Sequence, residues 1–548
     1  MRCGIATEAL VHKTSIGCVE VVGIQVLLRC ILVAQPARRG QVCSGARTDI
    51  RFGWPELMNL HTLRSPIDFL DQTVDDVPCR EALQADADWW EKEGKTISDS
   101  IDRAGTPWLR MFDQLGTRVD QILFPSDYDK MLRRGYLSGV IWRAFEGRSL
   151  IPTYLLIYHI SFHDPGVCCP YTLSLATALS LSKYGSQELQ ERFLPSLLRK
   201  DGLNWQGATW MTEIKGGSDL GASVEAIARP AGDHYVLTGD KYFASNVGAE
   251  LALVAARSEN APRNVRSLAL FLVPRHRRDG QLNYFIRRLK DKIATRSVPT
   301  GEVELRDSEA HLLSPPDWGI YLILELLNTS RVANSVASVA LAQRVITEAL
   351  DFAERRVAFG TRILDHPLLH SQFEYRLSAL QGAFALAWEA VKMLNSLWLE
   401  RPPYSERYHL FRLIAHLAKY WTAEFAVQTA KWGMEVHGGL GVLGEYRAER
   451  WLREAMILAI WEGTSHRQIL DGLEVIERKR ADRLLFRRLG SGAKVQDLKE
   501  IESCIENYLS LPAGEREADA ESVFRRLAVF TADTLKKVSD SQSTTLSG

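Results

Sequence analysis

Glu462 is the residue that its neighbours best prepare to move a proton. It lies in Ile460-Trp461-Glu462-Gly463-Thr464-Ser465, a carboxylate delivered by an apolar approach and followed by a glycine and two hydroxyls. Upstream, Arg450, Trp451, Leu452, Arg453, Met456, Ile457 and Ile460 recur at helical spacing. Downstream, Ile469, Leu470, Leu473 and Ile476 do the same, with Thr464 or Ser465 available as the N-cap. The pattern predicts a short turn between two helices, with Glu462 beside the indole of Trp461. Apolar surroundings disfavour the charged form of a carboxylate and raise its pKa towards the range a general base needs. A plainer reading also stands: a surface acid at a helix N-terminus, stabilised by the helix dipole.

Other segments offer groups to a ligand. Met211-Thr212-Glu213-Ile-Lys-Gly216-Gly217-Ser218-Asp219 flanks a glycine pair with hydroxyls, and Lys241-Tyr242-Phe243-Ala244-Ser245-Asn246 joins an aromatic face to a hydroxyl. Each also reads as an ordinary loop or strand. Arg356-Val-Ala-Phe359-Gly360 ends a predicted long helix with a cation and a ring, although a helical Arg by itself is commonly just solvated. Gly439-Leu-Gly441-Val-Leu-Gly444 spells G-x-G-x-x-G, but Leu417, Tyr420, Trp421, Phe425 and Ala426 before it have helical rather than alternating spacing, so a dinucleotide-binding strand-to-helix turn is rejected. Its glycines still let backbone approach a phosphate closely. His366 and His370, like His159 and His163, stand one helical turn apart without the acidic neighbour of a zincin. They read as surface or capping histidines, and no metal site is expected. Neither a nucleophile elbow nor a P-loop is present in the sequence.

The elements that must position these residues change character along the chain. From Cys79 to Lys200 the periodicity is helical, through Trp89, Trp90, Ile97, Ile101, Trp108 and Leu109, then Tyr128, Met131, Leu132, Tyr136 and Ile141, then Tyr171 to Lys183. From Gly207 to Leu305, Gly-Asp turns separate short β-rich runs such as Leu251-Ala-Leu-Val and Leu268-Ala-Leu-Phe-Leu-Val. Long helices follow, over about Tyr321 to Phe359, Leu368 to Leu399 and Ser405 to Val436, and a last pair brackets Glu462. Segregation of this kind predicts an α+β fold rather than an alternating βαβ sheet. The expected divisions are an extension over 1–55 with little order, an N-terminal helical domain over 56–205, a middle β-barrel-like domain over 206–314, a helical bundle over 315–480 and a helical tail over 481–548. At 548 residues, with 46% hydrophobic and 24% charged residues, the chain has the composition of a soluble globular protein. Its 67 basic and 67 acidic residues balance, so no global charge steers it to nucleic acid or an anionic membrane. Eight cysteines without a C-x-x-C pair predict buried free thiols in a reducing compartment.

In order, M-T-E-x-x-G-G-S-D, G-D-K-Y-F-A-S-N, K-D-K-I-A-T-R-S, R-x-x-F-G, V-H-G-G-L-G and I-W-E-G-T-S span Met211 to Ser465 and resemble the acyl-CoA dehydrogenase family of flavoproteins. Met211–Asp219, Leu289-Lys-Asp-Lys292, Met434-Glu-Val436, Trp461-Glu462-Gly463 and Phe124-Pro-Ser-Asp-Tyr128 resemble its AidB-like, alkylation-response branch. The resemblance implies bound FAD. Met211, Thr212 and Ser218 would contact the isoalloxazine, Phe243 and Ser245 occupy the flavin-flanking aromatic and hydroxyl positions, and Thr464 and His466 take further flavin-contact positions. Arg356 and Phe359 would reach the FAD of a neighbouring subunit, with Gly438 and Gly439 near its ADP portion, which implies a homotetramer built as a dimer of dimers. Glu462 matches the catalytic base that removes the proton α to a thioester while the β hydride passes to flavin N5. The thioester carbonyl would be polarised by the Glu462 N–H and a flavin ribityl hydroxyl. Four positions depart from the pattern. Phe243 stands where Trp is usual. Glu435 and His466 replace a common Gln and a common Gln or Asn. Trp461 replaces a Tyr and should narrow the acyl pocket.

The resemblance therefore implies an acyl-CoA thioester as substrate, with the electron acceptor open. Two rival functions are an AidB-like, DNA-associated alkylation-response flavoprotein and an oxidase or monooxygenase on the same fold. For DNA, residues 478–548 carry 13 Lys/Arg against 11 Asp/Glu, and Arg478, Lys479, Arg480, Arg483, Arg487 and Arg488 form one patch that also reads as a solvated helix face. Val21 to Val33 is too short and too charged for a membrane span. The basic bias of the first 50 or so residues reads as an organellar presequence or as an upstream extension of the reading frame. The expected location is intracellular: cytoplasmic, or mitochondrial under the presequence reading.

Overall fold

The computed structural model of the protein describes residues 60–313, 316–490 and 492–546. The extension expected over 1–55, and the presequence reading with it, lie outside the described residues. The helical block contains, among others, Arg80–Trp89, Lys95–Ala104, Tyr128–Ser138, Ile151–His163, Cys168–Tyr184 and Gln187–Leu197. Ile151–His163 and Cys168–Tyr184 are buried on nearly every face, as apolar sequence all round a helix requires. For that reason His159 and His163 are neither surface nor capping residues. Both are buried, and burial lowers both pKa values and keeps the rings neutral. No cluster of metal-ligand type occurs among the described residues. A second correction concerns Trp108 and Leu109, which do not continue a helix. They belong to the strand Trp108–Phe112, paired antiparallel with Arg118–Leu123. Gly105, at φ +86°, ends the preceding helix, and Asp113 Oδ1 accepts the Leu115 and Thr117 N–H groups (2.8 and 2.9 Å) to build the hairpin turn.

Seven strands between Gly207 and Leu312 form one sheet. Leu251–Ser258 pairs with Leu268–Pro274, which pairs with Thr300–Leu312, then His234–Ser245, then Ile227–Ala231, which returns to Leu251–Ser258, so the ring closes like a barrel. The expected Gly-Asp turn is present: Ala231 pairs with His234 around Gly232, at φ +71°. At one end of this module Lys241 Nζ donates to Glu213 Oε1 (2.6 Å), and both side chains are buried. Glu213 also accepts the Glu225 and Ala226 N–H groups, so one acid ties the 211–226 loop to the sheet.

The bundle comprises Gly319–Arg355, Pro367–Leu397, Glu406–His437, Ala448–Ile460 and Ser465–Lys479. The first helix ends at Arg355, not Phe359 as expected. Val357–Ala358 and Thr361–Arg362 form a small hairpin whose two central residues, Phe359 and Gly360, have φ of +52° and +83°. Two consecutive left-handed residues are the demand of a type I′ turn, which overrides helical spacing. The tail continues as Ala481–Leu489, Val495–Ser510 and Ala513–Leu546. It is anchored by the buried Phe524, whose ring lies against Tyr420 (5.5 Å) and fills the space above Gly472. All four described cysteines are free, and Cys79, Cys168 and Cys169 are buried. Among the described residues no helix is long and apolar enough to cross a membrane.

The helix Ala448–Ile460 is fixed to both other parts of the molecule. Arg450 donates to Asp164 Oδ2 (2.8 Å) and Ser98 Oγ (2.9 Å), and Arg453 to Asp102 Oδ2 (2.8 Å). On the same helix Glu454 Oε1 accepts the Thr295 N–H from the β module (2.9 Å). Removing one partner of a buried pair leaves the other charge uncompensated. Arg450→Met is therefore expected to lower the unfolding free energy by about 3–5 kcal/mol, measured by equilibrium denaturant titration.

Candidate active site

The helix Ala448–Ile460 stops at Trp461, whose N–H still reaches Ile457 O (3.0 Å) while its own backbone is extended. Glu462 and Gly463 then adopt φ of +56° and +95°, and Thr464 caps the next helix through its hydroxyl, which accepts the Arg467 N–H (3.4 Å). Of the two hydroxyls read as possible caps, Thr464 is the one used. Ser465 Oγ donates instead to Glu424 Oε1 (2.5 Å). A left-handed glutamate is uncommon and strained, so the surrounding contacts must enforce it.

Those contacts lie beneath the turn. The Glu462 carbonyl accepts from Arg331 Nε (3.2 Å) and Gln468 Nε2 (3.1 Å), and the Gly463 carbonyl from Gln468 Nε2 (3.0 Å) and Lys419 Nζ (2.8 Å). Gln468 is oriented in turn by His416, whose Nδ1–H donates to its Oε1 (2.9 Å). Burial lowers the His416 pKa to about 3, which keeps that ring neutral. Arg331, Lys419, His416 and Gln468 are all buried. Neither the Glu462 nor the Gly463 N–H has an acceptor among the described residues. Free amide donors beside a carboxylate suit an oxyanion.

Glu462 itself is half-buried. Burial raises its pKa to about 7, against the opposing pull of Arg331 and Lys419. Trp461 packs on Cys169, Leu173 and Val298, and its Nε1–H donates to Asn334 Oδ1. Burial pushes the Cys168 and Cys169 thiols up, to about 11 and about 12, and the Glu462 charge adds to this. The start of the helix Cys168–Tyr184 therefore faces the turn. The raised pKa fits the desolvated reading of Glu462 better than that of a solvated surface acid.

The remaining residues singled out from sequence fall into separate groups. Met211 is buried and Thr212 half-buried. Their loop meets the strand His234–Ser245, where Tyr242 N–H donates to Thr212 O (2.9 Å) and Trp210 Nε1 to Ser245 O (3.0 Å). Phe243 sits in this strand at φ +56° with 56% of its surface exposed, Ser245 Oγ lies 3.1 Å from Thr300 Oγ1, and Ser218 is exposed on the glycine loop. Thr464 and His466 lie at the Glu462 turn, half-buried and exposed. Arg356 and Phe359 are on the projecting hairpin, and Phe359 is 99% exposed. Gly438 and Gly439 follow the helix Glu406–His437, near that hairpin's base, since His437 packs on Phe352 (4.5 Å). Glu435 is exposed and paired with Lys431 (2.6 Å). In the C-terminal basic patch, Arg478 pairs with Glu474, Arg480 with Asp482 and Glu506, and Arg488 with Glu389.

Sequence reasoning missed Arg331, His416, Lys419 and Gln468. The available signal was polar groups at core spacing: Arg412, His416 and Lys419 recur at i, i+4, i+7, and His416 and Lys419 fall on the buried side of their helix.

Three segments match known families: residues 87–201 match the adaptive response protein AidB N-terminal domain, 208–308 the acyl-CoA dehydrogenase middle domain, and 317–476 the acyl-CoA dehydrogenase C-terminal domain. The chain is 30% identical over 479 residues to acyl-CoA dehydrogenase family member 11 of Caenorhabditis elegans, covering 82% of this chain and 77% of that protein. The crystal structure of Caenorhabditis elegans ACDH-11 in complex with C11-CoA superposes with a TM-score of 0.77 at 26% identity, covering 91% of each chain. The Bd2924 apo-form gives 0.77 at 25% identity, covering 88% of this chain and 96% of that one.

A Cβ built on Gly463 would lie 2.6 Å from Gln468 Nε2, at a φ that L side chains rarely adopt, whereas one on Gly439 would meet nothing within 4 Å. Gly463→Ala is expected to lower the unfolding free energy by about 1–3 kcal/mol. Gly439→Ala is expected to change it by no more than about 0.5 kcal/mol in the same denaturant titration.

Proposed function

The chain belongs to the acyl-CoA dehydrogenase family, and from that premise we propose that it is a FAD-dependent dehydrogenase of acyl-CoA thioesters with Glu462 as the base that removes the α proton. It is an oxidoreductase of the acyl-CoA dehydrogenase type, acting on CH–CH groups. The observation that carries the finer reading is the Glu462 turn: a desolvated carboxylate with a pKa raised to about 7, held in a strained conformation beside unpaired amide N–H groups.

Family members are FAD-dependent flavoproteins, and the residues present suit that cofactor. Phe243 presents an exposed ring at the mouth of the β module, and Met456 and Ile460 expose apolar surface on the helix that leads to Glu462. A planar heteroaromatic ring would cover surfaces of this kind. The 216–219 loop and the open backbone of Gly438 and Gly439 can approach phosphates. When bound, FAD supplies the acceptor for the hydride that leaves the β carbon. The protein's own part is to hold the thioester, to take the α proton on the Glu462 carboxylate and to stabilise the carbonyl oxygen with turn N–H groups. Trp461, locked by Asn334 and packed on Cys169 and Leu173, would form one wall of the acyl pocket. The Caenorhabditis elegans relative solved in complex with C11-CoA supports a thioester substrate.

The distance between the two halves of the proposed cofactor site supports an assembly of several copies, which we propose to be a homotetramer. Arg331, under Glu462, and Arg355, beside Arg356, are 24 residues apart on one continuous helix, about 36 Å along its axis. Arg356 and the fully exposed Phe359 are therefore proposed to complete the site of another copy. Phe359→Ala is expected to weaken flavin retention, read as the flavin-to-protein absorbance ratio after gel filtration.

The decisive experiment adds a panel of acyl-CoA thioesters anaerobically to the flavin-loaded protein. Bleaching of the oxidised flavin band by one chain-length class is expected, and a flavin that no thioester bleaches would overturn the proposal. Glu462→Gln should keep its flavin and slow bleaching by about 10²–10⁴-fold. A base must be ionised to act, so the wild-type rate should rise with pH through about 7.

A further inference from the structure

The buried lysines of this protein are mostly matched to carboxylates. Lys183 donates to Glu325 (2.7 Å), Lys241 to Glu213 (2.6 Å) and Lys290 to Glu302 (2.8 Å). Lys419 differs. It is fully buried in the helix Glu406–His437, and its two hydrogen bonds among the described residues both go to backbone carbonyls: Ala459 O (3.1 Å) on the helix before Glu462 and Gly463 O (2.8 Å) just after it. One ammonium thus spans the two flanks of a turn whose central residue is forced to a positive φ. A buried cation without a carboxylate partner is costly, and its retention calls for a compensating charge nearby.

We infer that Lys419 is a positioning residue for Glu462: it clamps the reversed turn from below and supplies the counter-charge that keeps the carboxylate ionisable inside the protein. The inference rests on the reading of Glu462 as the base. From the helix Gly319–Arg355 comes Arg331, which shares itself between the Glu462 carbonyl and Asp471 Oδ2 (3.5 Å). From the helix Ser465–Lys479 come Asp471 and Arg467, which bond each other (2.8 Å). The lysine's own helix contributes Arg412, the neutral His416, and Glu424, which accepts from Ser465. The helix Cys168–Tyr184 contributes only the Cys168 and Cys169 thiols, both held protonated by burial. Glu462 is the largest attractive charge acting on Lys419, ahead of Glu424, and Arg331 and then Lys419 are the two cations acting on Glu462. Burial is the largest influence on both groups and drives each towards its neutral form: the lysine, pushed further by Arg331, falls to about 7, and the acid, held back by Arg331 and Lys419, rises to about 7. Each charged form therefore favours the other, and the two titrate as a pair.

Loss of the ammonium should raise the midpoint at which Glu462 ionises. The test is a pH titration of the infrared C=O stretch of protonated Glu462 in the flavin-loaded protein, with the matching Glu462→Gln protein subtracted as blank. In Lys419→Met the midpoint is expected to rise by about one pH unit or more over wild type. In Lys419→Ala, added ethylammonium should lower the raised midpoint again, an effect that a purely space-filling lysine would not show. Equal midpoints in wild type and Lys419→Met, or an ethylammonium-insensitive midpoint in Lys419→Ala, would overturn the inference. The titration needs no turnover. Failure of the thioesters to bleach the flavin would count against the proposed reaction, and the titration would still test the role of Lys419.

Discussion

Two consecutive residues with left-handed backbone, Glu462 and Gly463, reverse the chain between helices, and the molecule is arranged to hold that reversal. Glycine adopts such a φ without penalty, but glutamate does not. The difference is made up by hydrogen bonds to the carbonyls of Glu462 and Gly463 from Arg331, Lys419 and Gln468, each on a different helix of the bundle. In a trans peptide the Glu462 carbonyl is anti to the Gly463 N–H, so drawing that carbonyl onto Arg331 and Gln468 leaves the Gly463 N–H facing away from them.

The same constraint explains why the approach helix is tied to both other parts of the fold. Arg450 and Arg453 hold it to the helical block through Asp164 and Asp102, and Glu454 holds it to the β module through the Thr295 N–H. Rotation of that helix would swing Glu462 off the platform beneath it. Burial makes these ties stiff as well as strong, because a displaced partner leaves a charge in low dielectric. Glu454 illustrates the cost. Burial raises its pKa to about 7, and one of its oxygens finds no hydrogen-bond partner among the described residues.

Sequence made the α+β order, the three-part architecture and the Glu462 turn legible because each has a local signature. Helical periodicity, Gly-Asp turns and a hydroxyl cap all act within a few residues of themselves. The failures were also local in origin. At Trp108 and Leu109 the apolar spacing fits a helix, but Gly105 and the Asp113-centred turn decide for a hairpin. At Phe359 the helical pattern runs on after the backbone has turned, because Phe adopting a positive φ beside Gly360 has no marker in composition. His159 and His163 were misplaced because their helix is buried all round, so polar residues on it do not mark an exposed face. The comparisons with related proteins support the family and the AidB-like N-terminal segment, which the ordered motifs from Met211 to Ser465 and Phe124–Tyr128 had suggested.

The platform under Glu462 was not legible, and the reason is physical. Arg331, Lys419 and Gln468 act on backbone carbonyls, and a carbonyl is the same at every position of a chain. No residue type therefore announces the target. What sequence can show is a polar side chain where the periodicity demands an apolar one, as at His416 and Lys419 in the stripe that begins at Arg412. Such residues resemble errors in a hydrophobic pattern until the fold brings a reversed turn over them. A buried polar group must be satisfied or lost. An apparent misfit in a core helix next to a strained loop is thus better read as the loop's support than as noise, and its charge then becomes part of the chemistry above it.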